Sequence, residues 1–373
     1  MTDIQTTIQA LKELKTKLGA VFAEDSNIAL SFGSQQHIAT ALAEGLVLCD
    51  RSHWGLIRLA GVDRLRFLHN QTTNNIQALK AGGGCETVFV TSTGRTLELA
   101  TVWATEEDLL ILVSPQRRQR LLDWMDRYIF PMDKVELSDL SHQYAIFTLL
   151  GEGTQAFLSK LGLASILDQP QAHQWVTLGE ATGRIAIGSG LALAGFTLLI
   201  PIAQALSVWQ YWIGQGALPI GDRDWDALRI QQGRPAPDQE LTEDYNPLEA
   251  GLWRAISFTK GCYIGQETIA RLNTYQGVKQ RLWGLKLDKA VERGTILTLA
   301  GDKVGIVTSC LETEQGIFGL GYIKTKAGGA GLTLQAGGAS AEAIAASFLS
   351  HDYFQPKAVS GQNSSGGGPG GRP

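Results

Sequence analysis

Long apolar runs are missing from this chain. The longest, Gly188–Ile202, is broken by Ser189, Gly190, Gly195, Thr197 and Pro201. Nothing reaches the roughly 18 uninterrupted apolar residues of a membrane-spanning helix, so no membrane partner is expected. Cysteine is scarce and scattered. Cys49, Cys85, Cys262 and Cys310 form no C-x-x-C pair, which argues against a structural zinc site and a disulfide framework and for a reducing compartment. The six histidines show neither H-x-x-x-H nor H-E-x-x-H spacing, so no resident metal is expected. Charge of one sign is also lacking. Lys plus Arg is 32 and Asp plus Glu is 36, a net charge of −4. Such a chain has no global field for nucleic acid, and no stable nucleic-acid partner is expected. The N-terminal stretch carries Asp3, Glu13, Glu24 and Asp25 and has no apolar secretory core, unlike a signal or transit peptide. A cytoplasmic location follows as the expectation.

What is present is a folded protein. The 373 residues are 44% hydrophobic and 18% charged, enough for two or three domains. Ile4, Ile8, Leu11, Leu14, Leu18 and Phe22 recur at helical spacing, predicting an amphipathic N-terminal helix that faces the core. A degenerate repeat follows. The strand-like run Leu56–Leu59 leads through Gly61 to a helix with Phe67-Leu68; Tyr144–Leu150 leads through Gly151 to one with Phe157-Leu158. Asp108–Val113 then passes through Ser114-Pro115 into a helix, and Gly195–Ile200 does so through Pro201. The spacing between equivalent points is about 90 residues, which reads as two related α+β units. From Arg281 on, short strand-like runs separated by Gly and Asp turns predict a small antiparallel barrel. The expected division is residues 1–140 and 141–280 for the two units, which are free to exchange segments. The barrel takes 281–355, and a flexible Gly/Ser/Pro-rich tail takes 356–373.

Gly151-Glu152-Gly153-Thr154-Gln155-Ala156 fits G-x-G-x-x-A between strand and helix, with Asp168 further on. Asp168 sits in turn chemistry beside Pro170, and Asp63 replaces the glycine in the sister turn, so a structural turn is the better reading. Gly82-Gly83-Gly84 lacks the Lys-Ser or Lys-Thr of a phosphate loop and reads as a hairpin.

The densest chemistry lies in Lys260-Gly261-Cys262-Tyr263-Ile264-Gly265-Gln266-Glu267, with Arg271 following. Gly261 and Gly265 permit sharp turns and close approach of a ligand. Tyr263 offers a flat face, and Gln266 and Glu267 can pair with the edges of a heterocycle. Lys260 and Arg271 are placed to stabilise a Cys262 thiolate or to hold a carboxylate. The residues alone leave Cys262 open as either an inert packed side chain or a functional thiol.

This segment resembles the K-G-C-[FY]-x-G-Q-E signature of the YgfZ family. Those are folate-binding proteins that assist assembly or repair of iron–sulfur clusters, some of them named tRNA-modifying protein. Their fold is shared with the aminomethyltransferase (T protein, GcvT) of the glycine cleavage system. The resemblance includes Arg229–Pro235, Asn246–Leu252 and Gly61–Asn75, and extends over roughly residues 45–325. It implies a three-domain ring around an opening that takes tetrahydrofolate or another reduced folate. It also implies a transient iron–sulfur cluster and, as partners, iron–sulfur assembly proteins or client enzymes. Cys262 would be the essential residue. Lys260, Gly261, Tyr263, Gly265, Gln266, Glu267 and Arg271 would shape its site, and Asn70 and Gln71 would line the opening. Two departures from the aminomethyltransferases stand out. Their Gly-Gly-x-x-Asp-Asp is matched by Gly94-Arg95-Thr96-Leu97-Glu98-Leu99, and their pterin-holding Gly-Phe-Glu by Gly195-Phe196-Thr197. Glu98 and Thr197 thus occupy altered folate positions. A folate-dependent aminomethyltransferase and a non-catalytic scaffold are the alternatives.

Overall fold

The computed structural model describes residues 3–33, 35–166 and 169–355. Asp168 and the expected tail over 356–373 lie outside the described residues. The amphipathic N-terminus forms helix α1 (Asp3–Lys17), with Leu11 buried in the core. The helix is shorter than its apolar spacing suggests. Gly19, in a left-handed conformation (φ 90), turns the chain, and Phe22 falls in strand β1 (Val21–Phe22). Strand β1 pairs with β2 (Ala29–Ser31), and helix α2 (Gln35–Glu44) follows.

The predicted repeat is visible in the element order. The first passage is β3 (Val47–Asp50), β4 (Gly55–Ala60), α3 (Arg64–Gln71), β5 (Gly84–Val90), β6 (Thr96–Ala104), β7 (Asp108–Val113) and α4 (Arg118–Asp126). The second is β8 (Glu136–Asp139), β9 (Tyr144–Leu150), α5 (Gly153–Lys160), β10 (His173–Leu178), β11 (Ala181–Ile187), β12 (Gly195–Pro201) and α6 (Ala205–Gly214). Strand β13 (Leu218–Ile220), α7 (Asp222–Gln232) and α8 (Gln266–Thr274) complete this part. The Gly151–Ala156 stretch is a packing turn. A Cβ at Gly151 would lie 2.6 Å from the Gly45 carbonyl, and one at Gly153 2.7 Å from the same oxygen.

The two sheets have matching orders, β5-β6-β7-β4-β8 and β10-β11-β12-β9-β3-β13. Each lead strand has crossed over. Strand β3 pairs with β9 of the second passage, and β8 with β4 of the first. A repeated Asp-x-Ser-His latches the exchange. In Asp50-Arg51-Ser52-His53, Ser52 binds its own Asp50, and its Oγ accepts from Ile146 N at 3.0 Å. In Asp139-Leu140-Ser141-His142, Ser141 binds Asp139, and its Oγ accepts from Leu56 N at 2.9 Å. The ranges 1–140 and 141–280 are therefore not two self-contained sheets. Helix α1 also crosses over, packing Leu11 with Phe147, Trp209 and Trp212 of the second sheet's layer. In the other direction, the chain after α7 packs Leu248, Leu252, Trp253, Tyr263 and Ile269 against Val88, Val90 and Leu99 of the first sheet. Between the sheets lies a shared core that includes Leu56, Trp103, Leu112, Ile146, Leu150 and Trp225.

Strands β14 (Gln280–Leu287), β15 (Ile296–Leu299), β16 (Asp302–Thr313), β17 (Gly316–Lys324), β18 (Thr333–Ala336) and β19 (Ala339–Ile344) close a six-stranded antiparallel barrel, as the turn spacing predicts. It is keyed to α7 by a buried network. Arg229 donates to Glu240 Oε2 at 2.8 Å and to Ser309 Oγ at 3.0 Å, while Tyr322 donates to the Glu240 carbonyl at 2.9 Å. Residues 345–355 leave the barrel as a strap. Ser350 N bonds Gly251 O, and Phe354 stacks on Phe258.

Candidate functional site

The Lys260–Glu267 loop docks on the C-terminal end of α3, where the last carbonyls of a helix lack partners. Lys260 supplies one for each of three oxygens. Its Nζ donates to the carbonyls of His69 at 2.5 Å, Thr72 at 2.6 Å and Asn74 at 2.9 Å, and lies 4.6 Å from the Tyr263 ring centre. Burial pushes the ammonium down to about 7, with the Cys85 thiol acting the other way. The Asn70 carbonyl accepts from Ile264 N at 3.0 Å. Gly265 caps α8 at φ 80, and a Cβ there would lie 2.5 Å from the Thr91 carbonyl. Only glycine fits that corner. A loop held at three points leaves its thiol outward. Cys262 is exposed and unpaired, whereas Cys49 is buried and Cys85 and Cys310 are half-buried. Burial pushes the Cys49 thiol up strongly and that of Cys85 to about 12.

A polar chain leads inward from this loop. Asn74, whose carbonyl holds Lys260, donates from Nδ2 to Glu86 O at 2.7 Å. Arg234 Nη1 donates to Glu86 Oε1 at 3.3 Å and to Gly190 O at 2.9 Å, joining the two sheets. Next to it, buried Arg51 stacks on Trp54 at 3.7 Å and Trp225 at 4.4 Å, and donates to Ser189 O at 3.2 Å. Burial, then repulsion from Arg234, pushes Arg51 down to about 9. Trp54, Trp225 and Arg234 also line a cavity of about 480 Å³ between the end of β7, α7 and the barrel. Its acids Asp222, Asp226 and Asp238 are engaged by His53, Arg229 and Arg117. Arg223 and Arg293 at its edge have no ion-pair partner among the described residues. The cavity therefore favours an anionic ligand.

Glu98 lies behind this cavity. Its Oε1 accepts from the Ser114 amide at 3.1 Å and hydroxyl at 2.8 Å, and Ser114 lines the wall. Its Oε2 is 4.0 Å from Arg117 Nε. Burial pushes the carboxyl up to about 7. Arg51 Nε, Gln71 Oε1 and Glu98 Oε2 are among the buried side-chain atoms without a hydrogen-bond partner.

Several sequence expectations are corrected by this geometry. Lys260 does not serve as a counter-ion dedicated to Cys262; its donors are spent on carbonyls, and the thiol acting on it is Cys85. Tyr263 offers no free face. It is 9% exposed, packed into the cluster with Trp253. Gly261 is exposed beside His69 Nε2, Gln266 is half-buried, and Glu267 and Arg271 are exposed on α8. Asn70 joins this group through its backbone, while Gln71 is buried at the end of α3. Glu98 and Thr197 lie on separate sheets, and among the described residues no hydrogen bond or ion pair ties either to the 260–267 loop. Thr197 is buried, its hydroxyl donating to Gly188 O at 3.0 Å. Arg51, Trp54, Glu86 and Trp225 were not singled out from sequence. Arg234 lay within a noted segment, but nothing local announced its burial.

A family model described as the GCVT N-terminal domain matches residues 13–260. The chain belongs to this family. A chloroplastic protein of Arabidopsis thaliana, named "Putative transferase At1g60990", is 44% identical over 322 residues, 86% of this chain and 74% of that one. Its chloroplast location does not match the strictly cytoplasmic one expected above. An aminomethyltransferase of Listeria monocytogenes is 28% identical over 320 residues, 79% of this chain and 85% of its own. Among solved structures, the glycine cleavage system aminomethyltransferase T from Bartonella henselae superposes with a TM-score of 0.79 at 19% identity, covering 93% of this chain and 99% of that one. The GcvT-like fold expected from sequence is thereby shown. Among the described residues no helix is long and apolar enough to cross a membrane, and no group of three or more His, Cys, Asp or Glu side chains forms a metal site.

Proposed function

We propose that this chain is a YgfZ-type, folate-binding accessory protein for the assembly or repair of iron–sulfur enzymes, acting through Cys262. The observation that carries the reading is the exposed thiol on a loop otherwise anchored from below. A buried lysine, an Asn70–Ile264 hydrogen bond and an obligatory glycine hold the backbone, so the sulfur is presented at a fixed place. Packing does not account for that, since the residue is exposed. Clusters take about four protein ligands, so a lone cysteine serves a transient cluster completed by a partner or small thiols.

Reduced folate suits the interior of the ring. The guanidinium groups of Arg223, Arg234 and Arg293, which line the cavity, suit the carboxylates of folate. When bound, folate supplies one-carbon carrier chemistry. Thr197 supplies no carboxylate for the pterin, and its hydroxyl is committed to Gly188, so the hold is weaker than in an aminomethyltransferase. A transferase reading is favoured by one observation. Glu98, poised near neutrality beside the cavity, is suited to moving a proton.

Restoring iron–sulfur enzyme activity in cells lacking the protein tests the proposal. The wild-type chain is expected to rescue, and Cys262→Ser to fail with an unchanged melting temperature. Alkylation at neutral pH is expected at Cys262 well ahead of Cys49, Cys85 and Cys310. Rescue by Cys262→Ser, or robust aminomethyl transfer to tetrahydrofolate by the purified protein, would overturn it.

A further inference from the structure

An exposed thiol alone is not a site, but the chain beneath Cys262 supplies a second group. Lys260 Nζ donates to the His69 carbonyl at 2.5 Å, and Ile264 N donates to the Asn70 carbonyl at 3.0 Å. The loop therefore straddles the end of α3, with Gly261 and Cys262 between its two ties. Within that span, a Cβ on Gly261 would lie 3.5 Å from His69 Nε2. Gly261 has no side chain to cover the imidazole, and the next Cα along the chain, about 3.8 Å away, belongs to Cys262. His69 is 3% exposed, and its Nε2 has no hydrogen bond among the described residues. A polar atom of a buried ring thus faces the bare edge of the loop, beside the thiol.

Three roles are open to an imidazole in such a place, and its surroundings decide between them. An imidazolium would pair with a thiolate. Burial, and then the Lys260 ammonium, push His69 down from its ordinary value, so the ring is neutral at physiological pH. A general base would need a lone pair on Nε2. The Gln77 amide donates to Nδ1 at 3.4 Å, which leaves the proton of the neutral ring on Nε2. What remains is a neutral N–H donor. It lies where the Gly261 side chain would be, so its acceptor is a group brought up to Cys262 rather than the Cys262 sulfur itself.

We infer that the Cys262 loop is a thiol–disulfide exchange site for low-molecular-weight disulfides, with His69 as the donor to the departing sulfur. The Cys262 thiolate attacks one sulfur of the disulfide and forms a new S–S bond. The original S–S bond breaks, and its electron pair leaves on the second sulfur, where the Nε2–H meets it. The departing thiolate then takes a proton from water. Gly261 keeps the approach open. Resting on the reading of Cys262 as a reactive thiol, this assignment names what it reacts with.

The full chain is treated at neutral pH with bis(2-hydroxyethyl) disulfide and, in parallel, with iodoacetamide, whose leaving group is iodide. Modification of Cys262 is followed by peptide mass spectrometry. His69→Phe keeps a ring and removes the donor, whereas His69→Gln returns an N–H near the place of Nε2. Gly261→Ala, at a position outside the left-handed region, sets a methyl against Nε2 without entering the core. His69→Phe and Gly261→Ala are each expected to slow exchange about tenfold while alkylation changes by less than about twofold, and His69→Gln to recover most of the exchange rate. Equal slowing of both reactions, or unchanged exchange in either variant, would overturn the assignment and leave the Cys262 reading standing. A Cys262 inert to both reagents in the wild-type chain would overturn the two together.

Discussion

Glu98 has no exposed surface, and one of its oxygens has no hydrogen-bond partner. Its carboxyl is raised to about 7 by burial, against an ordinary value of 4.5. Between those values the folded chain holds a proton that the unfolded chain has released. Stability therefore declines as pH rises through this window, by up to about 3 kcal/mol from this group. Glu98→Gln removes the ionisation, so urea denaturation at pH 5 and pH 8 should show a smaller loss in the variant than in the wild type. An equal loss would show that Glu98 is ionised cheaply. The residue scale is also where sequence reading was least secure. The dense polar chemistry around Cys262 was legible, while the exposure of the thiol came from the structure. The direction of a long side chain was not legible. Lys260 is two residues from Cys262, yet it reaches under the loop to helix-end carbonyls on α3. Tyr263 looked like a ligand platform for the same reason, although it faces the first sheet.

Elements were easier to read where periodicity was sustained. The helix pattern of α1 and the short barrel strands each bury one face, which leaves its period in the sequence, whereas β4 and β9 are buried on both faces and were legible as apolar runs ending at Gly61 and Gly151. Strands β3 and β8, of four residues each, are too short to carry a period, so their exchange left no local trace. The junction between loop and helix α8 makes a sharp test. Gly265→Ala puts a side chain into a left-handed conformation and against the Thr91 carbonyl. A loss of about 2 kcal/mol or more is expected, beyond the roughly 1–2 kcal/mol of the backbone conformation alone. Hydrogen exchange at the Ile264 amide, which is bonded to Asn70, should rise together with it. An unaltered exchange rate would mean that the loop is not braced at this corner.

At the scale of the whole molecule, each sheet contains a strand delivered by the other passage, and Ser52 and Ser141 fasten the two deliveries. The sheets are consequently expected to unfold together. Hydrogen exchange followed by mass spectrometry should give β6 and β11 the same opening free energy, and two separate values would contradict the interlock. Removing either serine hydroxyl strands a buried strand amide, at a cost of about 1–3 kcal/mol.

The same crossing sets a schedule for synthesis. Strand β3 emerges early, but its register partners on β9 run from Phe147 to Leu150. At about 5–20 residues per second, a ribosome delivers them roughly 5–20 s later. During that wait the nascent chain carries Val47, Leu48 and Cys49 with no edge to join. A newborn N-terminal half is thus a natural client for a holding chaperone.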